Sequence, residues 1–407
     1  MAYAECIARL GDWEGYDYAE SWEELRGDRR WCVIRLQAKP AVARVCSGCG
    51  TAVQAVHDSE ERRVRDLPIF EVPVELRIPR LRVACAHCGP KLERLSWLEP
   101  YARVTKRLAL SVARLCKLMA LAHVAHYYGL AWTTVKLIDW RHLERELGAA
   151  DLTGVRVIAM DEFAIQKGHR YATVVVEPSR KRVLWVGRGR AQEDVRPFFE
   201  MLGKEGRERL EAVVMDMHAA YELELRRHCP HTEIVYDLFH VVAKYGREVI
   251  DRVRVDEANR LRADRAARRL VKGARWLLLR NRENVTGQDD QVRLKELLAA
   301  NQSLFTVYVL KDDLKALWSY RHVGYAQRFW QQWYRRAMSS GIPALKTFAM
   351  NLKPYLRGIL AHCRWPLGTS IVEGINNTIK VIKRMAYGYR DDAYFFLRIR
   401  AAFPGIR

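Results

Sequence analysis

No stretch of this chain stays apolar for long enough to cross a bilayer. The longest candidate, Leu108 to Tyr128, is broken by Arg114 and Lys117, whereas a spanning helix needs about 20 uninterrupted apolar residues. A charged-then-apolar leader is also missing. The chain starts MAYAECIARLGDWEGYDYAE, which is acidic, so secretion is not expected. Negative charge is scarce: 48 Asp plus Glu face 69 Lys plus Arg, a formal excess of +21. In a protein that remains inside the cell, such an excess points to a polyanionic partner, above all nucleic acid. The low hydrophobicity of disordered chains is absent too, since 49% of residues are hydrophobic and 10% aromatic. At roughly 150 residues per domain, 407 residues suffice for two or three.

Cysteine is sparse and odd in number, nine in all, yet four of the nine form two tight pairs. Cys46-Ser-Gly-Cys49-Gly and Cys85-Ala-His-Cys88-Gly are both CxxCG knuckles. Cys6, Cys32, Cys116, Cys229 and Cys363 are scattered and read as buried or free thiols. Reducing compartments disfavour disulfides, so paired CxxC motifs favour a metal. Two residues between thiolates let both face one ion, the following glycine permits the turn, and four sulfurs complete tetrahedral Zn²⁺. With no position left open, that zinc is expected to be structural. Between the knuckles, Glu71-Val-Pro-Val-Glu-Leu-Arg-Ile alternates as a half-buried strand does. Residues 41–98 therefore read as a zinc-ribbon-like module after an N-terminal segment, 1–40. Its strand arginines (62, 63, 65, 77, 80 and 82) read either as a solvated face or as phosphate contacts.

From Val104 to Leu147 the apolar period becomes helical. Ala125, Gly129 and Val135, surrounded by Val124, Leu130 and Ile138, have helix-turn-helix spacing. This places a DNA-binding domain at 99–150, with Thr133 or Thr134 capping or opening the recognition helix and Lys136, Trp140 and Arg141 along it. Three strand patterns follow, ending near Asp161, Glu177 and Gly187, with turns at Lys167-Gly-His and Pro178-Ser-Arg. Helices then alternate with strands that end at Asp216 and Asp237. Three antiparallel strands followed by helix-strand alternation, with acids at strand ends, give a ribonuclease H-like mixed-sheet core, first part 152–240. Open α/β sheets gather ligands at strand carboxyl ends, so Asp161, Asp216 and Asp237 are placed for a shared site. Residues 241–360 read as an all-helical insertion. Between Lys244 and Glu283 it carries 13 Lys/Arg against 6 Asp/Glu. The core resumes at 361–407 with a helix opened by Thr369 or Ser370. On it Glu373, Asn376 or Asn377, Lys380 and Arg384 share one face.

Asp161, Asp216 and Glu373 are hard oxygen ligands of the kind Mg²⁺ (or Mn²⁺) prefers. Two such ions can serve an in-line phosphoryl displacement without a covalent enzyme intermediate. Asn377, Lys380 and Arg384 suit a phosphate backbone running along the same helix.

These motifs together resemble the ISL3 family of insertion-sequence transposases. The likeness rests on the two knuckles with His57-Asp58 and Arg65-Asp66-Leu67-Pro68, the helix-turn-helix, and Met160-Asp-Glu-Phe-Ala with Lys167-Gly and Tyr171. It extends to Val214-Met-Asp-Met-His with Tyr221, Asp237-Leu-Phe-His240, Thr369-Ser-Ile-Val-Glu-Gly-Ile-Asn-Asn-Thr-Ile-Lys and Ala386-Tyr-Gly-Tyr-Arg. The resemblance implies a DDE triad of Asp161, Asp216 and Glu373, supported by Asp237 and His240 of an Asp-x-x-His motif and by Lys380. It further implies a bacterial, cytoplasmic, nucleoid-associated enzyme without membrane attachment. Such an enzyme binds double-stranded terminal inverted repeats, frees 3′-OH ends and joins them to target DNA as a homodimer or larger assembly. The alternatives are a catalytically inactive or domesticated DNA-binding relative, and a ribonuclease H-like structure-specific nuclease.

Overall fold

β-Branched and aromatic residues alternate with charged ones between Tyr16 and Leu92, and the strands of the first unit lie in that stretch. This computed structural model describes residues 11–40, 42–166, 168, 170–367 and 370–406, without the side chains of Arg282 and Ser370. Cys6, Lys167, His169 and Thr369 lie outside the described residues, as does any capping by the Ser370 side chain. Two compact units emerge, one through Gly148 with Lys383–Tyr389, the other Ala149–Ile382 with the chain from Arg390 on.

In the first unit, β1 (Tyr16–Arg26), β2 (Arg29–Ala38), β5 (Val56–Ile69), β6 (Val72–Cys85) and β7 (Gly89–Leu92) form one sheet. Its order is β1-β2-β6-β5 with β7 also on β6. Two-residue strands β3 (Arg44–Val45) and β4 (Ala52–Val53) pair beside the first knuckle. Strands β1 and β2, from the segment before residue 41, join the zinc-module sheet through the parallel β2–β6 pair. One face packs Ile34, Leu36, Val64, Val74, Leu76 and Ile78 against Trp13, Tyr16, Leu95 and Leu98. Each fully buried aliphatic there contributes about 1.5–3 kcal/mol.

Arginines, tryptophans and carboxylates also interlock across this sheet, and they correct the picture of an open basic surface. Arg80 is buried with Glu93. Arg77 pairs with Glu24, Glu61 and Glu75, and Arg82 pairs with Asp58. Arg65 stacks on Trp31 and donates to the carbonyl oxygens of Tyr128 and Gly129. Carboxylates, invisible as partners in a one-dimensional count, engage three of the six strand arginines, and a ring and two carbonyl oxygens engage Arg65.

The trihelical segment comprises α1 (Lys106–Cys116), α2 (Leu121–Tyr128) and α3 (Trp132–Leu147). Gly129 ends α2 in the left-handed region, φ 59° and ψ 43°, where a Cβ is costly. Val124, Ala125 and Val135 pack with Leu108, Val112 and Cys116. Helix α3 starts after Ala131 with no side-chain cap, so Thr133 and Thr134 are first-turn residues and neither caps it. Buried Asp66 ties this segment to the sheet: it accepts from Thr105 Oγ1 at 2.6 Å, Arg107 Nε at 2.7 Å, Trp13 Nε1 at 3.3 Å and Leu67 N at 2.8 Å. Asp66→Ala strands several of these donors. Because Arg107 is 37% exposed, the expected loss is about 2–3 kcal/mol, readable as a lower midpoint for this unit in thermal denaturation. An unchanged midpoint would remove Asp66 from this role.

The second unit holds β8 (Val157–Gln166), β9 (Arg170–Glu177), β10 (Arg182–Arg188), β11 (Ala212–Met215) and β12 (Glu233–Tyr236) in the order β10-β9-β8-β11-β12. The first three are antiparallel, while β11 is parallel to β8 and β12. Helices α4 (Gln192–Arg209) and α5 (Ala219–His228) connect them. From Leu238 to Leu360 come α6 (Leu238–Tyr245), α7 (Asp251–Arg260), α8 (Arg265–Gly273), α9 (Arg275–Leu279) and α10 (Gln288–Ala300), then α11 (Gln302–Ala316), α12 (Val323–Ser339), α13 (Pro343–Leu352) and α14 (Leu356–Leu360). One hydrophobic cluster runs from Val175, Phe198 and Phe199 to Trp333, Phe348 and Leu360, so sheet and helices share a core. The chain ends with α15 (Ser370–Met385) and α16 (Asp392–Ala402). Phe395 of α16 sits edge-on to Phe163 at 6.0 Å. Among the described residues no helix is long and apolar enough to cross a membrane.

Candidate functional site

Strand register brings the acids together. Ala159 of β8 pairs with Val214 of β11, and Met215 of β11 with Tyr236 of β12. Asp161 and Asp216 therefore each lie two residues beyond a matched pair, and Asp216 and Asp237 each lie one beyond another. Parallel neighbours are about 4.8 Å apart, so three carboxylates occupy adjacent positions. The sequence placed Asp161 at a strand end, but β8 continues to Gln166 in register with β9. Asp161 sits where β11 stops and leaves the edge of β8 open.

Helix α15 supplies the rest. Glu373, Asn376, Asn377 and Lys380 line one cleft with Asp161, Asp216, Asp237 and His240, enclosing about 190 Å³. Ile375 and Ile379 are buried on the other side of that helix, while buried Val372 also lines the cleft. The sequence left Asn376 and Asn377 as alternatives, and the structure divides their roles. Asn376 is buried and its Nδ2 donates to Asp161 Oδ2 at 2.6 Å. Asn377 is exposed and its Oδ1 accepts from Lys380 Nζ at 3.2 Å. Glu373 and Arg384 are exposed on the same helix.

Asp161 Oδ1 accepts from the Glu162 amide at 2.8 Å, and among the described residues no cationic side chain forms an ion pair with Asp161. Burial pushes its carboxyl up to about 6, although that amide and the nearby charge of His240 pull the other way. Asp216 is treated differently. Burial would raise it, but the His240 hydrogen bond and charge outweigh that, and its carboxyl lies below the usual range. His240 Nδ1 donates to Asp216 Oδ2 at 2.8 Å, and its Nε2 lies 3.8 Å from Asp237 Oδ2. Burial disfavours the imidazolium, yet the hydrogen bond and charge of Asp216, with Asp161 and Asp237 nearby, raise it to about 9. Asp237 caps α6 by accepting from Phe239 N at 2.8 Å, which fixes the turn carrying His240. Glu162, facing elsewhere on β8, pairs with Arg190 at 2.7 Å.

The four cysteines form a second centre. The sulfurs of Cys46, Cys49, Cys85 and Cys88 all lie within 4.8 Å of one another, and Cys49 Sγ and Cys85 Sγ are 3.5 Å apart. Tetrahedral Zn²⁺ with bonds near 2.3 Å puts its sulfurs about 3.8 Å apart. A Cβ on Gly48 would stand 3.0 Å from Cys88 Sγ, so a small residue is needed inside the knuckle. Hydrogen bonds from Thr51 and from the neighbouring cysteines pull the Cys49 thiol down to about 6. Among the described residues these cysteines are the one such tight cluster of three or more metal-ligand side chains.

On α3 the exposed row is Thr133, Leu137 and Arg141, four residues apart, with Trp132 and half-buried Thr134 beside it. Lys136 lies over the rings of Trp132, at 5.8 Å, and Trp140, at 5.4 Å. Sequence reasoning missed Leu137, although its spacing from Thr133 and Arg141 carried the signal. It also missed that Asn376 reaches Asp161 and that Asp66 and Arg65 anchor the three helices.

Comparison with known proteins matches the sequence to named families. Residues 158–399 match the transposase model of the ISL3 family. Residues 43–88 match the zinc-finger of transposase IS204/IS1001/IS1096/IS1165, and residues 93–141 match the helix-turn-helix domain of transposase family ISL3. The transposase for insertion sequence element IS1001 of Bordetella parapertussis is 56% identical over 408 residues, covering 100% of this chain and 99% of that protein. The transposase for insertion sequence element IS1557 of Mycobacterium tuberculosis (strain CDC 1551 / Oshkosh) is 27% identical over 393 residues, covering 90% and 87% respectively. With zinc ribbon, helix-turn-helix and transposase domain in that order, this chain belongs to the ISL3 family of insertion-sequence transposases.

Proposed function

We propose that this chain is an active DNA transposase whose catalytic groups are Asp161, Asp216 and Glu373. The observation that carries the reading is one cleft holding these three acids with Lys380. The strand order β10-β9-β8-β11-β12 supports a ribonuclease H-like core with 241–360 as its helical insertion. Asp161, Asp216 and Glu373 would hold Mg²⁺ or Mn²⁺, two ions that when bound polarise the phosphate and stabilise the departing oxygen. The donor set fits such ions: hard oxygens, and a partly buried Asp161 without a cationic partner among the described residues.

Each protein group has a distinct task. Asn376 orients Asp161, and His240 orients Asp216 while Asp237 holds His240 in place. Lys380, kept upright by Asn377, meets a phosphate oxygen, and Arg384 continues the contact along the backbone. In the first step a water oxygen attacks phosphorus at the element end, and the bond to the 3′ oxygen breaks. That oxygen takes a proton and leaves as a 3′-OH. In the second, the 3′-OH oxygen loses its proton, attacks a target phosphorus and displaces the target's own 3′ oxygen. Thr133, Thr134, Lys136 and Arg141 contact the terminal repeats from the major groove. Two ends require at least a dimer.

A cleavage and joining assay on DNA carrying the flanking repeats of the encoding locus, with Mg²⁺, tests this reading beside Glu373→Gln. Wild type is expected to yield 3′-OH ends and joined products, whereas Glu373→Gln binds the ends and yields neither. Folded wild type that binds its ends but cuts nothing with Mg²⁺ or Mn²⁺ would overturn the enzymatic reading.

A further inference from the structure

The excess positive charge has one concentration that neither the cleft nor the recognition helix uses. Helix α8 reads Arg-Ala-Ala-Arg-Arg-Leu-Val-Lys-Gly, and Arg265, Arg268, Arg269 and Lys272 fall at i, i+3, i+4 and i+7. This spacing puts all four within an arc of roughly 100° on one face. Arg265, Arg269 and Lys272 are exposed, while Val271 is buried on another face.

Among the described residues none of the four enters an ion pair, although 48 carboxylates are encoded. The acids of neighbouring α7 are already engaged: Asp251 with Arg254 and Arg275, Asp256 with Arg252, and Glu257 with Arg260. Asp264 is used as the cap, accepting from the amides of Ala266 and Ala267. Arg268 Nε is buried with no hydrogen-bond partner. A fifth cation comes close as well, because a Cβ built on Gly273 would lie 3.6 Å from Arg293 Nη2. Like charges three and four apart weaken a helix, so the isolated protein is less stable for carrying this face.

We infer that the basic face of α8 is a second duplex-binding surface, one that grips the phosphate backbone of DNA regardless of sequence. From Arg265 to Lys272 the helix rises about 10 Å, which faces several phosphates of a duplex bearing one charge per roughly 1.7 Å of axis. Neutralising phosphates with unpaired arginines releases counterions and demands no base pattern. The face carries no exposed apolar side chain within its arc, which disfavours a protein partner. The inference rests on the transposase reading for its choice of DNA as the polyanion.

The test uses the full chain and two duplexes, one random and one bearing the terminal repeat, with affinity measured across a salt series. Arg265→Gln with Arg269→Gln is expected to reduce the slope of log affinity against log salt by about 1.8, roughly 0.9 per lost phosphate contact. Both duplexes should weaken together, leaving the preference for repeat DNA unchanged. The thermal midpoint should hold or rise as like charges are relieved, a shift that loss of a structural contact would not produce. An unchanged slope in the folded variant would overturn the proposal. So would weakened binding of single-stranded DNA or RNA with the duplex unaffected. Absence of any repeat preference in wild type would instead count against the transposase reading and leave the random-duplex comparison intact.

Discussion

Asp161→Asn is expected to abolish strand cleavage and joining while leaving the protein folded and bound to its DNA ends. The substitution keeps the side-chain shape and removes one charge from a position that burial already disfavours for an anion. The hydrogen bonds can be remade. One Asp161 oxygen accepts from the Glu162 amide and the other from Asn376 Nδ2. Among the described residues buried Asn376 Oδ1 has no hydrogen-bond partner, so turning that amide over lets it accept from the side-chain amide that the substitution introduces. Stability should therefore change by less than about 1 kcal/mol. Catalysis has no comparable remedy, because a neutral amide is a poor ligand for a hard dication and supplies no charge to place it. Losing about 4 kcal/mol or more of transition-state stabilisation is at least ~10³-fold in rate. Single-turnover cleavage of repeat DNA, with binding measured on the same samples, checks this. Cleavage within tenfold of wild type would remove Asp161 from the catalytic set.

The parts of this molecule that were legible in sequence are those where local pattern and chemistry coincide. Gly129 was readable as the helix-turn because its neighbours Ala125 and Val135 follow helical spacing, and its φ of 59° bears that out. The cysteine quartet was readable because each knuckle is local. Long-range pairing was not. Arg80, Arg77 and Arg82 look like open cations in one dimension, and Glu93, Glu24 and Asp58 reach them only once β6 has found its neighbours. The same holds for β1 and β2, whose place beside β6 depends on a parallel pairing separated by some forty residues. At the acid cleft, the order of the acids was visible, but their register was not. Nor could spacing alone choose between Asn376 and Asn377, since adjacent residues of a helix differ by about 100° in direction. Only the packed sheet decides which of them meets Asp161.

Removal of zinc, or Cys85→Ser, is expected to unfold the knuckles and cost most of the affinity for the terminal repeats. Little else holds this region together. Strands β3 and β4 have two residues each, and the local cluster contains only Cys46, Val83 and Cys85 with Val53 and Cys88 against it. Such a core is too small to offset the entropy of ordering its loops, whereas structural zinc contributes on the order of 10 kcal/mol in comparably small modules. Damage would not stay local. Cys85 terminates β6, the strand that pairs with β2, β5 and β7. Arg65 and Asp66, which hold Gly129 and Thr105 of the three-helix segment, sit on β5 opposite β6. Fraying β6 therefore loosens the base on which α3 stands, and a recognition helix placed imprecisely loses its base contacts first. The purified protein should contain about one zinc per chain by elemental analysis. Cys85→Ser should lose that metal, become protease-sensitive between the knuckles and bind repeat DNA at least tenfold more weakly. Sequence-independent binding through α8 should survive, which separates loss of reading from general unfolding. A zinc-free wild type, or a Cys85→Ser protein with unaltered melting and repeat affinity, would refute the structural role of this centre.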